Sequence, residues 1–121
     1  MNKHEQNVRV NIEGIGRDGD FRAFTQEWLV RAIGHNYAQN FSWLGRPIVQ
    51  IPQDIYAIQE IIWRVRPDLV IETGIAHGGS LILSASMLAL LDYCDAMAAD
   101  RSFSPRESKR RAVGIDVDIR P

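Results

Sequence analysis

The chain has 121 residues, 45% of them hydrophobic, with three Trp, one Cys and a formal net charge of -1. That length bounds it at one small domain, and that composition excludes a disordered or fibrous chain. The near-neutral charge gives no global attraction to nucleic acid or membrane, and a lone cysteine excludes a disulfide framework.

The N-terminus, MNKHEQNVRVNIEG, has no apolar core of a signal peptide. With the lone Cys94, this leads us to expect a cytoplasmic protein. Residues 1–19 read as a polar N-terminal segment. Val8, Val10 and Ile12 alternate within it, so either a short edge strand or disorder is expected. From Asp20 the pattern changes. Phe21, Phe24, Trp28, Leu29, Ile33 and Tyr37 recur at helical spacing, predicting an amphipathic helix from Asp20 to about Asn40 with Asp18 or Asp20 as N-cap. FSWLGRPIVQIP, residues 41–52, breaks the period with a Gly and two Pro and reads as an apolar loop lying against the domain. A second helix follows, with Ile55, Ile58, Ile61, Ile62 and Val65 on one face. Arg64 and Arg66 stand near its C-terminal end and Pro67 stops it.

Leu69–Thr73 reads as a short, fully buried parallel strand. Ser80 to about Ala98 is predicted as a third helix; its longest apolar run, Leu81–Leu91, is short of the ~20 residues of a membrane span. In the hydrophilic stretch 100–111, Ser104–Glu107 (SPRE) has the form of a capping box. Arg101, Arg106, Lys109, Arg110 and Arg111 read as a solvated basic face. Ala112–Val117 is the second predicted strand. Strand, helix, strand implies a parallel α/β sheet. Two parallel strands cannot bury both faces of their sheet, so the architecture is expected to be the N-terminal part of a larger one.

Between the first strand and its helix lies the turn E-T-G-I-A-H-G-G-S, residues 72–80. Gly74, Gly78 and Gly79 allow positive φ and close approach of a ligand to backbone. Ser80 opens a helix whose N-terminus offers free N–H groups and a positive dipole end. Ligands of open α/β sheets bind at this carboxyl end of the strands, so a nucleotide-type cofactor site is the functional reading here; the plainer one is that the glycines serve only tight packing. The pattern is neither G-x-G-x-x-G nor a P-loop, which argues against a nicotinamide cofactor and against phosphoryl transfer. Glu72, an acid in an apolar strand, either organises the turn or meets the ligand. Asp116, at the end of the second strand, is placed to accept from ribose hydroxyls, with Asp118 competing; it lies further along than the ~20 positions usual in dinucleotide folds. His77 is the one histidine near the turn; its plainer reading is an exposed loop residue, its functional one a ligand contact. The scattered His4, His35, His77 and Cys94 lack metal-ligand spacing.

The E-x-G-x-x-x-G-G-S turn followed by G-I-D at the next strand resembles class I S-adenosylmethionine-dependent methyltransferases. More closely, GRPIVQIPQDIYAIQEIIWRVRPDLVIETGIAHGGSLILSASML with VGIDVDIRP resembles the cephalosporin hydroxylase / rhamnosyl O-methyltransferase family over roughly Trp43 to Pro121. The resemblance implies a Rossmann-like three-layer fold, with residues 20–121 its cofactor-binding part. It implies S-adenosylmethionine held by Glu72, Gly74, His77, Gly78, Gly79, Ser80 and Asp116. It further implies a magnesium ion whose ligands belong to later strands, and methyl transfer to a hydroxyl of a sugar, lipid-linked glycan or antibiotic-like small molecule. The expectation for this chain is a cofactor-binding part without the acceptor half. The alternatives are a non-catalytic chain that folds by self-association into a homo-oligomer, and a nicotinamide-dependent oxidoreductase.

Overall fold

The computed structural model describes residues 1–118; the last three residues of the DVDIRP block lie outside the described residues. The chain divides into two compact units, residues 1–37 and 38–121.

The first unit is a pair of helices in contact, α1 (Lys3–Arg17) and α2 (Gly19–Gly34). The expected edge strand or disorder at the N-terminus is replaced by α1. Its start is a full capping box, in which the Asn2 side chain accepts from the Glu5 amide at 2.9 Å and the Glu5 carboxylate from the Asn2 amide at 2.8 Å. Along the helix, Glu13 pairs with Arg9 and Arg17 one turn away on either side. Val8, Ile12 and Ile15 therefore belong to a helical stripe rather than a strand alternation. Asp18 caps α2 by accepting from the Phe21 amide at 2.9 Å. Trp28 meets Tyr37 edge to face, ring centroids 5.5 Å apart.

The second unit carries the rest. The apolar stretch expected to be a loop is a hairpin, β1 (Phe41–Trp43) antiparallel to β2 (Arg46–Ile48). Its two-residue turn, Leu44-Gly45, holds both φ angles positive, at 46° and 82°. That is the geometry that two-residue hairpins favour, here with Leu where Asn is usual. Helix α3 (Pro52–Val65) opens on Pro at its first position and closes at Arg66, which is left-handed (φ 51°) and donates its amide to Ile62. Then come β3 (Leu69–Thr73), α4 (Gly79–Ala98), a short 3₁₀ turn at Pro105–Glu107, and β4 (Arg111–Ile115). The SPRE capping box does not form: Ser104 caps through its backbone carbonyl, which accepts from the Glu107 amide.

β3 and β4 pair in parallel, Leu69 opposite Arg111 through Thr73 opposite Ile115. The core is built on α4: Leu83, Met87, Leu88 and Leu91 pack with Ile62 of α3 and Ile48 of β2, and Val70 and Ala112 lean on them from the sheet. The Trp43 indole donates to Ser86 Oγ at 3.0 Å, tying the hairpin to α4. β3 was expected to be fully buried and is not. α4 covers the Val70, Glu72, Ala112, Gly114 face, whereas Leu69, Ile71, Val113 and Ile115 on the other are between 44% and 59% exposed. Two strands and one helix supply only two layers.

α4 is, among the described residues, the one helix long and apolar enough to cross a membrane, more than its apolar run alone indicated. It packs as a core helix, with Asp92 buried on its inner side. Arg110, read as part of a solvated basic face, lies instead between two acids of this helix. Its guanidinium meets Asp92 at 2.5 Å and Asp95 at 2.9 Å, Ser108 Oγ donates to Asp92, and Arg66 pairs with Asp95. The hydrogen bond from Arg110, aided by Arg66, holds the Asp95 carboxyl below its usual range. This network anchors the 100–110 connection to α4 and sets the entry of β4.

Candidate functional site

β3 ends at Thr73, and the Gly74 amide extends the ladder one step by donating to the Ile115 carbonyl at 2.9 Å. The chain then turns sharply. Gly74 (φ 80°) and Gly78 (φ 82°) occupy the left-handed region, where a side chain is strained. Ala76, at φ 49°, takes that strain without glycine's freedom, at about 1–2 kcal/mol. The Gly78 amide closes the turn on the Ile75 carbonyl at 2.8 Å, and α4 begins at Gly79 with no side chain capping it. Its first-turn N–H groups therefore keep the positive end of a 20-residue helix free of a side-chain acceptor.

Gly79 answers to packing rather than to φ. A Cβ there would fall on the Pro47 carbonyl oxygen and 2.7 Å from Ile48 Cβ. The hairpin seats directly on the first turn of α4, and only hydrogen fits between them. Gly114 is small for a related reason: a Cβ would lie 2.6 Å from Ile75 Cδ1 and 2.9 Å from Leu81 Cδ2.

Both acids belong to this turn. Glu72 faces α4, and its Oε1 accepts from Ser80 Oγ at 2.5 Å, joining the end of the strand to the start of the helix. Asp116 lies just past β4, which ends at Ile115 rather than at the expected Val117. Its Oδ1 accepts from the Asp118 amide at 3.0 Å, and its Oδ2 from the Ile75 amide at 2.6 Å and the Ala76 amide at 3.4 Å. Those hydrogen bonds, from Asp118 first and then from Ile75, hold its carboxyl below the usual carboxylate range.

Between turn and hairpin lies a cleft of about 390 Å³, within the size range of small-molecule sites. Pro47, Val49 and Gln50 wall one side and Ile58 of α3 contributes to the floor; Glu72, Gly74, His77, Gly79 and Ser80 line the rest. Five of the seven residues singled out from sequence thus share one cleft. Gly78 and Asp116 stand behind it and shape the turn. His77 is exposed at the mouth. The wall formed by Pro47, Val49 and Gln50 was missed, because the segment read as loop; the signal was the two-residue Leu44-Gly45 break between Phe41–Trp43 and Arg46–Ile48.

The cleft fits an organic ligand with a polar end: it has open backbone at Gly74, a carboxylate at Glu72 and a helix N-terminus. It does not fit a magnesium ion. Among the described residues no group of three or more His, Cys, Asp or Glu comes together to hold one.

A family model described as rhamnosyl O-methyltransferase/CmcI matches residues 35–121. No curated protein and no solved structure matches the chain. The match takes in the hairpin, the glycine turn, α4 and β4, and so the chain belongs to the rhamnosyl O-methyltransferase/CmcI family.

Proposed function

We propose that this chain binds S-adenosylmethionine in the cleft at the carboxyl end of β3 and serves methyl transfer to a hydroxyl of a small acceptor, a sugar, a lipid-linked glycan or an antibiotic-like molecule. The observation that carries the reading is the turn itself. In a chain of a methyltransferase family, the cleft is built around Gly74, Gly79 and an uncapped α4 N-terminus, with Glu72 at its edge. We read β3, α4 and β4 as the cofactor-binding unit of a Rossmann-like sheet.

S-adenosylmethionine, when bound, supplies an activated methyl group on a sulfonium. The protein's part is binding and orientation. Gly74 brings backbone close to the ligand without a side chain in the way, and Gly78 behind it lets the chain turn. Glu72, anchored by Ser80, offers its second oxygen to a cationic ammonium group of the ligand. The apolar wall of Val49 and Ile58 excludes water from the less polar part. His77 at the mouth is a ligand contact.

Calorimetry with S-adenosylmethionine and S-adenosylhomocysteine tests the reading. Saturable one-to-one binding is expected. No heat with either ligand, from a chain whose circular dichroism and thermal melt show it folded, would overturn it.

The uncovered sheet face favours a second reading for the same chain. Leu69, Ile71, Val113 and Ile115 form an apolar strip on a sheet whose outer edges pair with no further strand among the described residues, which promotes self-association. Sedimentation velocity separates the cases: a monomer at high concentration counts against it. Membership of a methyltransferase family speaks against the nicotinamide alternative.

A further inference from the structure

A second hollow lies beside the middle of α4 and the start of β4 and shares no residue with the cleft at the glycine turn. Its volume is about 200 Å³. Leu88, Ala89, Phe103, Pro105 and Ala112 give it an apolar lining, and Asp92, Ser108 and Arg110 form a polar wall. That volume is below the ~300–1,000 Å³ of sites that take a whole small molecule, but it admits one aliphatic side chain.

The polar wall does not call for an anion. The two Nη groups of Arg110 are taken by Asp92 and Asp95, and Asp92, 8% exposed, also accepts from Ser108 Oγ. An anion inside the hollow would meet a carboxylate whose own cation is already shared. The rim is different. Arg106 and Lys109 neighbour the lining residues Pro105, Ser108 and Arg110 along the chain. The Arg111 guanidinium folds back over the same segment, donating to the Ser108 and Arg110 carbonyls at 2.6 and 2.7 Å. Arg106, Lys109 and Arg111 are exposed, and none of them forms an ion pair among the described residues. Glu107 is the one acid in residues 101–111, so the segment carries a positive excess in a chain whose net charge is -1. An apolar hollow inside a cationic rim is complementary to an apolar side chain flanked by acids.

We propose that this hollow docks an acidic segment of a partner protein: one aliphatic side chain of leucine size enters it, and carboxylates on either side pair with Arg106, Lys109 and Arg111. The anchor supplies affinity, and the rim supplies the rate of approach and the choice of partner. The surface is separate from the cleft, so the proposal stands apart from the cofactor reading. A basic rim also attracts nucleic acid. Here, though, Phe103 is the one aromatic in residues 100–111, and it is half-buried in the lining, so no row of stacking platforms accompanies the cations.

The test follows backbone amide shifts of the full chain by NMR, with a capped pentapeptide that has Leu at its centre and two Glu on each side. Saturating shifts at Ala89, Phe103 and Lys109 are expected at millimolar peptide, with affinity falling severalfold as salt rises from about 50 mM to about 500 mM. Ser in place of the central Leu, or Lys in place of every Glu, is expected to weaken binding roughly tenfold or more. Arg106→Glu combined with Lys109→Glu changes two exposed side chains that hold no ion pair. That protein, shown folded by circular dichroism and thermal melt, is expected to lose the Glu peptide by a similar factor and to gain the Lys peptide. If it did not fold, the three peptides on the unmodified chain would still decide. The proposal is overturned by no shift in the hollow with the Glu peptide on the folded unmodified chain, by equal binding of the Ser and Leu peptides, or by binding that survives the charge reversal. It is also overturned if single-stranded oligothymidylate binds this rim more tightly than the Glu peptide does.

Discussion

Replacing Gly79 by Ala tests how tightly the hairpin and the glycine turn are fitted together. The new Cβ would land on the Pro47 carbonyl and within 2.8 Å of Ile48 Cα as well as 2.7 Å of its Cβ. These are backbone and near-backbone atoms, and Ile48 is fully buried against α4, so no rotamer change relieves the contact. Overpacking of this kind costs about 1–3 kcal/mol, and the involvement of two backbones places this case at the upper end, about 3 kcal/mol. The gain from Ala over Gly in a helix, up to about 1 kcal/mol, is small at a first helical position. The expected net loss is thus about 2–3 kcal/mol. Gly114→Ala is the internal comparison. Its Cβ would meet side-chain atoms only, Ile75 Cδ1 and Cγ1 and Leu81 Cδ2, which give more readily than backbone, so a smaller loss of about 1–2 kcal/mol is expected. Urea denaturation followed by circular dichroism reads both. A Gly79→Ala protein as stable as the parent, or a Gly114→Ala protein less stable than Gly79→Ala, would refute the claim that β2 is seated on the first turn of α4.

Other outcomes follow from single contacts. Leu44→Asn should stabilise the hairpin by about 0.5–1 kcal/mol, because Leu44 is 75% exposed at φ 46° and Asn tolerates that region better; a lower denaturation midpoint would contradict this. Arg110→Met should destabilise by roughly 3 kcal/mol, since it leaves Asp92 buried without its cation, and adding Asp92→Leu should return most of the loss. Equal stability of parent and Arg110→Met would show that the pair is inert. The Asp116 carboxyl is held below its usual range, so its contribution to turn order is complete above the unfolded value of about 3.9 and is lost as pH falls through the lower folded value. The Ile75 amide shift, followed by NMR, should hold steady from pH 7 to pH 5 and change only below about 4; a midpoint above that would contradict the assignment.

What the sequence made legible was whatever depended on neighbours along the chain. α2, α3 and α4 announced themselves by apolar spacing, by Asp18 as cap and by Pro67 as stop, although α2 ends at Gly34 and not near Asn40, Tyr37 falling in a 3₁₀ turn beyond it. The parallel pair and its glycine turn followed from two short apolar runs around a helix. α1 was hidden because Val8, Val10 and Ile12 fit a period of two as well as they fit a helix, and the deciding partners were polar: Asn2 with Glu5 and Glu13 with its two arginines. The hairpin was hidden because Leu44 occupies a place where Asn would have signalled the turn. Arg110 looked like its exposed neighbours in a basic run; only the fold brings Asp92 and Asp95 to it. For the site, spacing identified which glycines matter but not why. Gly74 and Gly78 answer to φ, Gly79 and Gly114 to the approach of another segment, a distinction that exists only in three dimensions. Asp116 was found by its place at a strand end, yet its bonding to Ile75 and Ala76 could not be read from residue type.

The central claim is that the cleft between the hairpin and the glycine turn is the cofactor site. Backbone NMR of the full chain titrated with S-adenosylhomocysteine locates the ligand directly. Saturating shifts are predicted at Gly74–Ser80 and at Val49 and Gln50, with the amides at the C-terminal end of α4 unmoved. Shifts spread over the exposed sheet face, or none at the turn in a folded protein, would contradict it.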